Sequence, residues 1–134
     1  MIPNDHDMDA MTREYLVAAV WTAVNMDGER IPVGPAYGTF DIDDADIARA
    51  VPLDVIYDAA RSCDAFIARS GLSAAAVAAY DPEAMGSNLF LSRNGHGAGF
   101  FDAGTAEGDE LQEAARHMGS TEYCLWWEGD YYYA

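Results

Sequence analysis

The sequence predicts an α+β domain: N-terminal helices packed on a small, mostly antiparallel sheet, with one helix crossing it. Three observations predict it. Apolar residues recur at helical spacing from Asp9 to Tyr80. After Gly86 the period reads as two, in short runs separated by turn residues. The chain has 134 residues, 51% of them hydrophobic, enough for one real core.

The elements follow in order. Residues 1–8 carry no period and read as a flexible lead-in to a single domain spanning 1–134. Asp9 offers an N-cap to a helix whose apolar stripe runs through Met11, Tyr15, Ala18, Ala19 and Thr22. Leu16, Val20, Ala23 and Val24 widen the stripe, and Gly28 suits a left-handed stop. Trp21 is expected in the core. Residues 27–52 read as an irregular connection, with a short strand at Tyr37–Ile42 and a helical turn at Asp43–Ala48. Pro52 opens a second helix, in which Leu53, Ile56, Tyr57, Ala60, Cys63, Phe66 and Ile67 fall at helical spacing until Gly71. Leu72–Tyr80 is a third helical stretch, and Asp81–Gly86 a cap-and-turn unit. Strands are expected at Asn88–Arg93 and Gly99–Asp102, joined by Asn94-Gly-His-Gly-Ala98, since Asn-Gly is a strong hairpin signal. Gly108–Met118 is the crossing helix, closed by Gly119. Glu122–Trp127 and Tyr131–Tyr133 form the last strands, about a turn at Glu128-Gly-Asp130.

The charge narrows the function classes. There are 23 Asp and Glu against 7 basic residues, all arginine, for a formal net charge of −16. Such a balance argues against unaided binding to a phosphate backbone, which proteins neutralise with Lys and Arg. A monomer of this mass should expose roughly 6,900 Å², about one uncompensated charge per 430 Å². B-DNA of the same ~30–35 Å span carries about 20 phosphate charges. The field therefore suits a surface built to hold nucleic acid. Plain solubility, or adaptation to a salty cytoplasm, accounts for the same number. No apolar stretch is long enough to span a membrane, and no leader pattern opens the chain, so a cytoplasmic setting is expected. Cys63 and Cys124 are too few for a disulfide framework.

Several clusters carry candidate chemistry. Asp41, Asp43, Asp44 and Asp46, with Asp54 and Asp58 one helical turn apart, make the densest acidic run. They are candidates for contacts to a basic partner, or a solvated face. Glu107, Asp109, Glu110 and Glu113 form a second run, at a helix N-terminus, where the helix dipole alone explains them. Trp126, Trp127, Tyr131, Tyr132 and Tyr133 crowd the end of the chain. Two-residue alternation must turn half of them outward, as interface anchors or a dimer seam, and Trp127 and Tyr132 are taken as the anchors. In the segment Arg93–Gly99, the glycines let backbone amides approach a ligand. Arg93, Asn94, His96 and Asp102 could then bind an anion, or His96 could act as a base beside Asp102. A tight turn explains the same glycines. Asp41–Asp46 fails as a calcium loop, because Ala45, Asp46 and Pro52 stand where an oxygen ligand, Gly and Glu are needed. The three histidines and two cysteines lack zinc spacing, and no nucleophile elbow is present. Neither a metal nor a cofactor is expected.

The stretch Asp81–Asp102, with Arg-Asn-Gly-His-Gly-Ala-Gly-Phe at its centre, resembles a family of small uncharacterised proteins of phages and other bacterial mobile elements. Ala59–Ala68, the opening from Tyr15 to Glu29 and the Gly108–Ala115 segment are similar to that family as well. The end of the chain departs from it, with Glu122–Asp130 and a tyrosine triplet in place of the family's closing strand. The resemblance implies a phage or plasmid setting, in which small acidic proteins block DNA-binding defence machinery. The expectation is an anti-CRISPR or anti-restriction inhibitor that is not an enzyme. It would occupy a basic nucleic-acid-binding protein by mimicry, bind no nucleic acid directly and tolerate homodimerisation. The alternative is a small-molecule or nucleotide binder, or an enzyme, built on Arg93–Asp102.

Overall fold

The computed structural model describes residues 9–31 and 44–134, with 44–46 and 69 described by their backbone alone. Helix α1 spans Ala10–Thr22. The Asp9 side chain caps it, accepting from the Thr12 N–H at 2.7 Å. Tyr15 through Val20 are all buried, so α1 is apolar on every side and lies at the centre of the molecule. The chain leaves α1 through a turn at residues 25–29, where Gly28 takes a positive φ of 81°. Helix α2 covers Asp44–Ala50 and helix α3 Leu53–Arg69, the latter opened by Pro52 as its N-cap. Ile56, Ala59, Cys63 and Phe66 form the buried face of α3, while Leu53 and Ile67 stay exposed. The short helix α4, Ala74–Ala78, is capped by Ser73. The strand expected at Tyr37–Ile42 lies outside the described residues.

The largest correction falls on residues 82–103. Pro82–Arg93 is one helix, α5, and not a turn followed by a strand. Asp81 caps it and Pro82 fills its first position. Leu89, Phe90, Leu91 and Ser92 are buried one after another, because α5 is enclosed by α1 and by the segment that follows it. Four buried residues in succession show no 3.6-residue stripe. Gly86 does not stop the helix. It sits where a Cβ would strike the Met11 backbone, so it sets the close approach of α1 and α5. The Asn94-Gly95 pair ends α5: Gly95 has φ 67° and His96 N–H donates to Leu91 O at 3.2 Å, closing a Schellman turn. Phe100–Ala103 is a 3₁₀ turn where a strand was expected.

Helix α6 spans Ala106–His117 under a Thr105 cap. The only strands among the described residues are β1, Cys124–Trp127, and β2, Asp130–Tyr133. They form an antiparallel hairpin in which Cys124 faces Tyr133, Leu125 faces Tyr132 and Trp126 faces Tyr131. Val24 exchanges both backbone hydrogen bonds with Tyr133 and extends the hairpin toward α1. The class is therefore α+β and helix-rich. Because the two earlier strands are helical, α6 leads into the hairpin and does not cross a sheet. No helix among the described residues is long and apolar enough to cross a membrane.

Candidate functional site

The C-terminal hairpin has two unlike faces. Leu125, Trp127 and Tyr132 point inward and are buried with the core. Trp126 (44% exposed), Tyr131 (56%) and Tyr133 (41%) point outward. The alternation is as expected, but its phase is opposite for the two anchors chosen from sequence: Trp127 and Tyr132 cannot reach a partner. Trp126 and Tyr131 are directly opposed across the strands, their rings edge to face with centroids 4.6 Å apart. Cys124 and Val24 complete the outer face beside Tyr133. A two-residue turn sets this register. Both turn residues need positive φ, which Gly129 takes at 89° and Glu128 at 49°.

Acids are frequent on the hairpin and the segments that adjoin it. Asp27, Glu29, Glu122, Glu128 and Asp130 are all exposed on the hairpin, its ends or the adjoining 25–29 turn. Burial, helped by the charges of Asp130, Glu29 and Glu128, raises the pKa of the Tyr132 hydroxyl. Two arginines lie nearby and both stack on tryptophan. Arg49 sits 4.0 Å above the Trp127 ring and pairs with Glu128 at 2.8 Å, and Arg30 lies 5.1 Å from the Trp21 ring.

The acidic run is not assembled into a surface by the described residues. Asp41 and Asp43 lie outside them, and Asp44 and Asp46 are placed only as backbone of α2. Asp54 is exposed on α3. Asp58 is tied inward: it accepts the Tyr123 hydroxyl at 2.7 Å and pairs with Arg61 at 3.6 Å. Exposed carboxylates also stand on α5, α6 and the 3₁₀ turn, through Glu83, Asp109, Glu113 and Asp102. Negative charge thus lies on nearly every described element.

The four residues of the glycine-rich segment do not converge. Arg93 donates to Gly119 O at 2.9 Å, to the Tyr15 hydroxyl at 3.0 Å and to Ser62 Oγ at 3.2 Å. Asn94 donates to Phe90 O and accepts from Thr121 N–H at 2.7 Å. Asp102 accepts from Gly99 N–H at 2.9 Å, within its own 3₁₀ turn. His96 stacks on Phe90 with centroids 5.7 Å apart, and desolvation lowers its pKa. Each side chain is engaged by a neighbour that positions the chain, and the expected His96–Asp102 pairing is replaced by these contacts. Sequence reasoning missed the resulting polar chain through the core: Asp58, Tyr123, Tyr15, Arg93. The two phenol oxygens are 3.5 Å apart, and burial is the main cause that raises both their pKa values. Cys63 is buried beside this chain and its thiol is pushed up to about 12, chiefly by burial, so it is no ready nucleophile. Among the described residues no group of three or more His, Cys, Asp or Glu could hold a metal ion.

Compared with protein-family models, with curated proteins and with solved structures, the chain gives no match.

Proposed function

We propose that this chain is a non-enzymatic binding protein that docks a basic protein surface, of the sort that holds nucleic acid, through the outer face of its C-terminal hairpin. The observation that carries the reading is the outward row of Trp126, Tyr131 and Tyr133 on a hairpin whose turn and adjoining segments carry exposed carboxylates. Tryptophan and tyrosine dominate binding energetics when a partner excludes water from them. These carboxylates select a cationic partner by complementarity and speed the encounter. Lysines and arginines that would face phosphates can stack on these rings, as Arg49 stacks on Trp127. Occupying such a surface blocks nucleic acid from it, which fits an inhibitor of a defence complex in a phage or plasmid setting. At the glycine-rich segment Arg93, Asn94 and Asp102 are held in contacts that position the chain, which supports placing the partner surface on the hairpin instead.

The test is a paired recovery experiment from host lysate, with the wild type, Trp126→Ala and Tyr131→Ala as bait. A basic nucleic-acid-binding protein should come down with the wild type and be released by salt. Truncating Trp126 should weaken that complex by about 2 kcal/mol or more, roughly 30-fold. The recovered protein should lose its nucleic acid when the wild type is added. Equal recovery by both variants, or a partner that keeps its nucleic acid, overturns the reading.

A further inference from the structure

We propose a second binding site, for a small phosphate monoester, in the depression where α5 and α6 end. It shares no residue with the hairpin face and stands independently of the function proposed there. The depression has a volume of about 450 Å³, at the lower end of what ligand pockets occupy. Arg93, Asn94, Gly95, Gln112, Arg116 and Ser120 line it, and no Asp or Glu does. In a chain with 23 acids and 7 arginines, a hollow lined by two arginines and no acid reverses the overall charge balance locally. A hollow of similar volume between α1 and α3, about 460 Å³, has Asp9 and Asp64 in its wall instead.

The two guanidinium groups differ in what they can do. Arg93 is pinned by Gly119 O, Tyr15 and Ser62, all neutral oxygens, so it supplies a fixed positive charge with no carboxylate beside it among the described residues. Arg116 has neither a hydrogen bond nor an ion pair from its side chain among the described residues, and its donors are open. Two cations match the near-dianionic charge of a phosphate monoester at neutral pH better than a single carboxylate would. The C-terminal ends of α5 and α6 bring partial negative charge here, and Arg93 answers it directly by bonding the carbonyl that follows α6. That leaves Arg116 for a ligand.

Two further groups point the same way. Gln112 lies one turn before Arg116 on α6, and its Oε1 is buried with no partner. Gln112 also lines the hollow, and a rotation of its amide would bring a hydrogen-bonding atom to the ester's hydroxyl-bearing body. Gly95 sits in the left-handed turn that ends α5 and lines the hollow beside Asn94.

The experiment is an amide-resolved NMR titration with ribose 5-phosphate, with inorganic phosphate, and with sodium chloride at matched ionic strength. Saturable shifts at Gly95, Ser120 and the Gln112 side chain are expected with ribose 5-phosphate, at a Kd tighter than about 1 mM. Arg116→Gln should weaken binding about tenfold or more, with the thermal midpoint little changed. Gln112→Glu, which places a carboxylate between the arginines, should give a similar loss and serves if Arg116→Gln folds poorly. Shifts that sodium chloride reproduces overturn the site. So does unchanged affinity in both variants, which would leave Arg116 only its helix-end role. Inorganic phosphate binding as tightly as the ester overturns the monoester assignment.

Discussion

Arg93 is the residue on which most segments depend. From the last turn of α5 it reaches Tyr15 on α1, Ser62 on α3 and the carbonyls of Met118 and Gly119 after α6. A lysine keeps the charge but offers one ammonium in place of a planar fork. Arg93→Lys should therefore cost about 2–3 kcal/mol in a urea unfolding experiment, because the buried Tyr15 hydroxyl and the partly buried Ser62 and Met118 oxygens lose donors. A loss near zero would mean that the contacts are individually dispensable. Cys63 gives a second residue-scale expectation, through pH. Its folded pKa, about 12, stands above the ordinary 9.0. The unfolded chain then releases this proton first as pH rises. The stability it contributes is whole below pH 9.0 and is lost as pH climbs toward 12. The buried phenols of Tyr15 and Tyr123, also raised, act in the same direction. The urea midpoint should fall over that range, and Cys63→Ala should show a shallower fall than the wild type. Equal slopes would remove Cys63 from the account.

At the scale of elements, α5 shows how packing overrides local signals. Alanine exceeds glycine in helix propensity by about 1 kcal/mol, so Gly86→Ala should stabilise an isolated helix. Here the new methyl would meet the Met11 backbone, which cannot swing aside as a side chain would. The substitution should instead cost roughly 1–3 kcal/mol by forcing α1 and α5 apart. A stabilised Gly86→Ala protein in thermal unfolding would refute the close approach. The same helix marks how far the sequence could be read. Asp9, Pro52, Asp81 and Gly119 announce ends of elements through cap and turn chemistry that is local, and the structure uses each of them, whereas Gly28, expected to stop α1, turns the chain six residues after α1 has ended at Thr22. Gly86 is a contact between distant segments, and Leu89-Phe90-Leu91 is buried at every position, so neither has a local signature. Asn94-Gly95 demands positive φ equally for a hairpin and for a helix end, and only the neighbouring element decides which. The candidate site was half legible for a similar reason. Alternation required some of the terminal aromatics to face outward. The phase was set by which of them the core accepts, and the core takes Trp127 and Tyr132.

Across the whole molecule the net charge of −16 sets two opposing responses to salt. Carboxylates on nearly every described element repel one another through solvent, which lowers the stability of the compact state. Salt screens that repulsion once the Debye length, about 10 Å at 0.1 M, falls below the spacing of the charges. The thermal midpoint should thus rise by a few degrees between about 10 and 150 mM sodium chloride and then level off, since further ions find little left to screen. A midpoint that keeps climbing through molar salt would mark a salt-adapted protein, for which the charge has no partner to explain. Binding at the hairpin face should move the other way. The carboxylates on and beside it draw a cationic surface by the same field, so affinity should drop across the interval in which stability grows. Measuring both on one preparation separates the causes. Rising stability with falling affinity ties the charge to a partner. Rising stability with unchanged affinity leaves the aromatic row to bind alone, and the carboxylates to solubility.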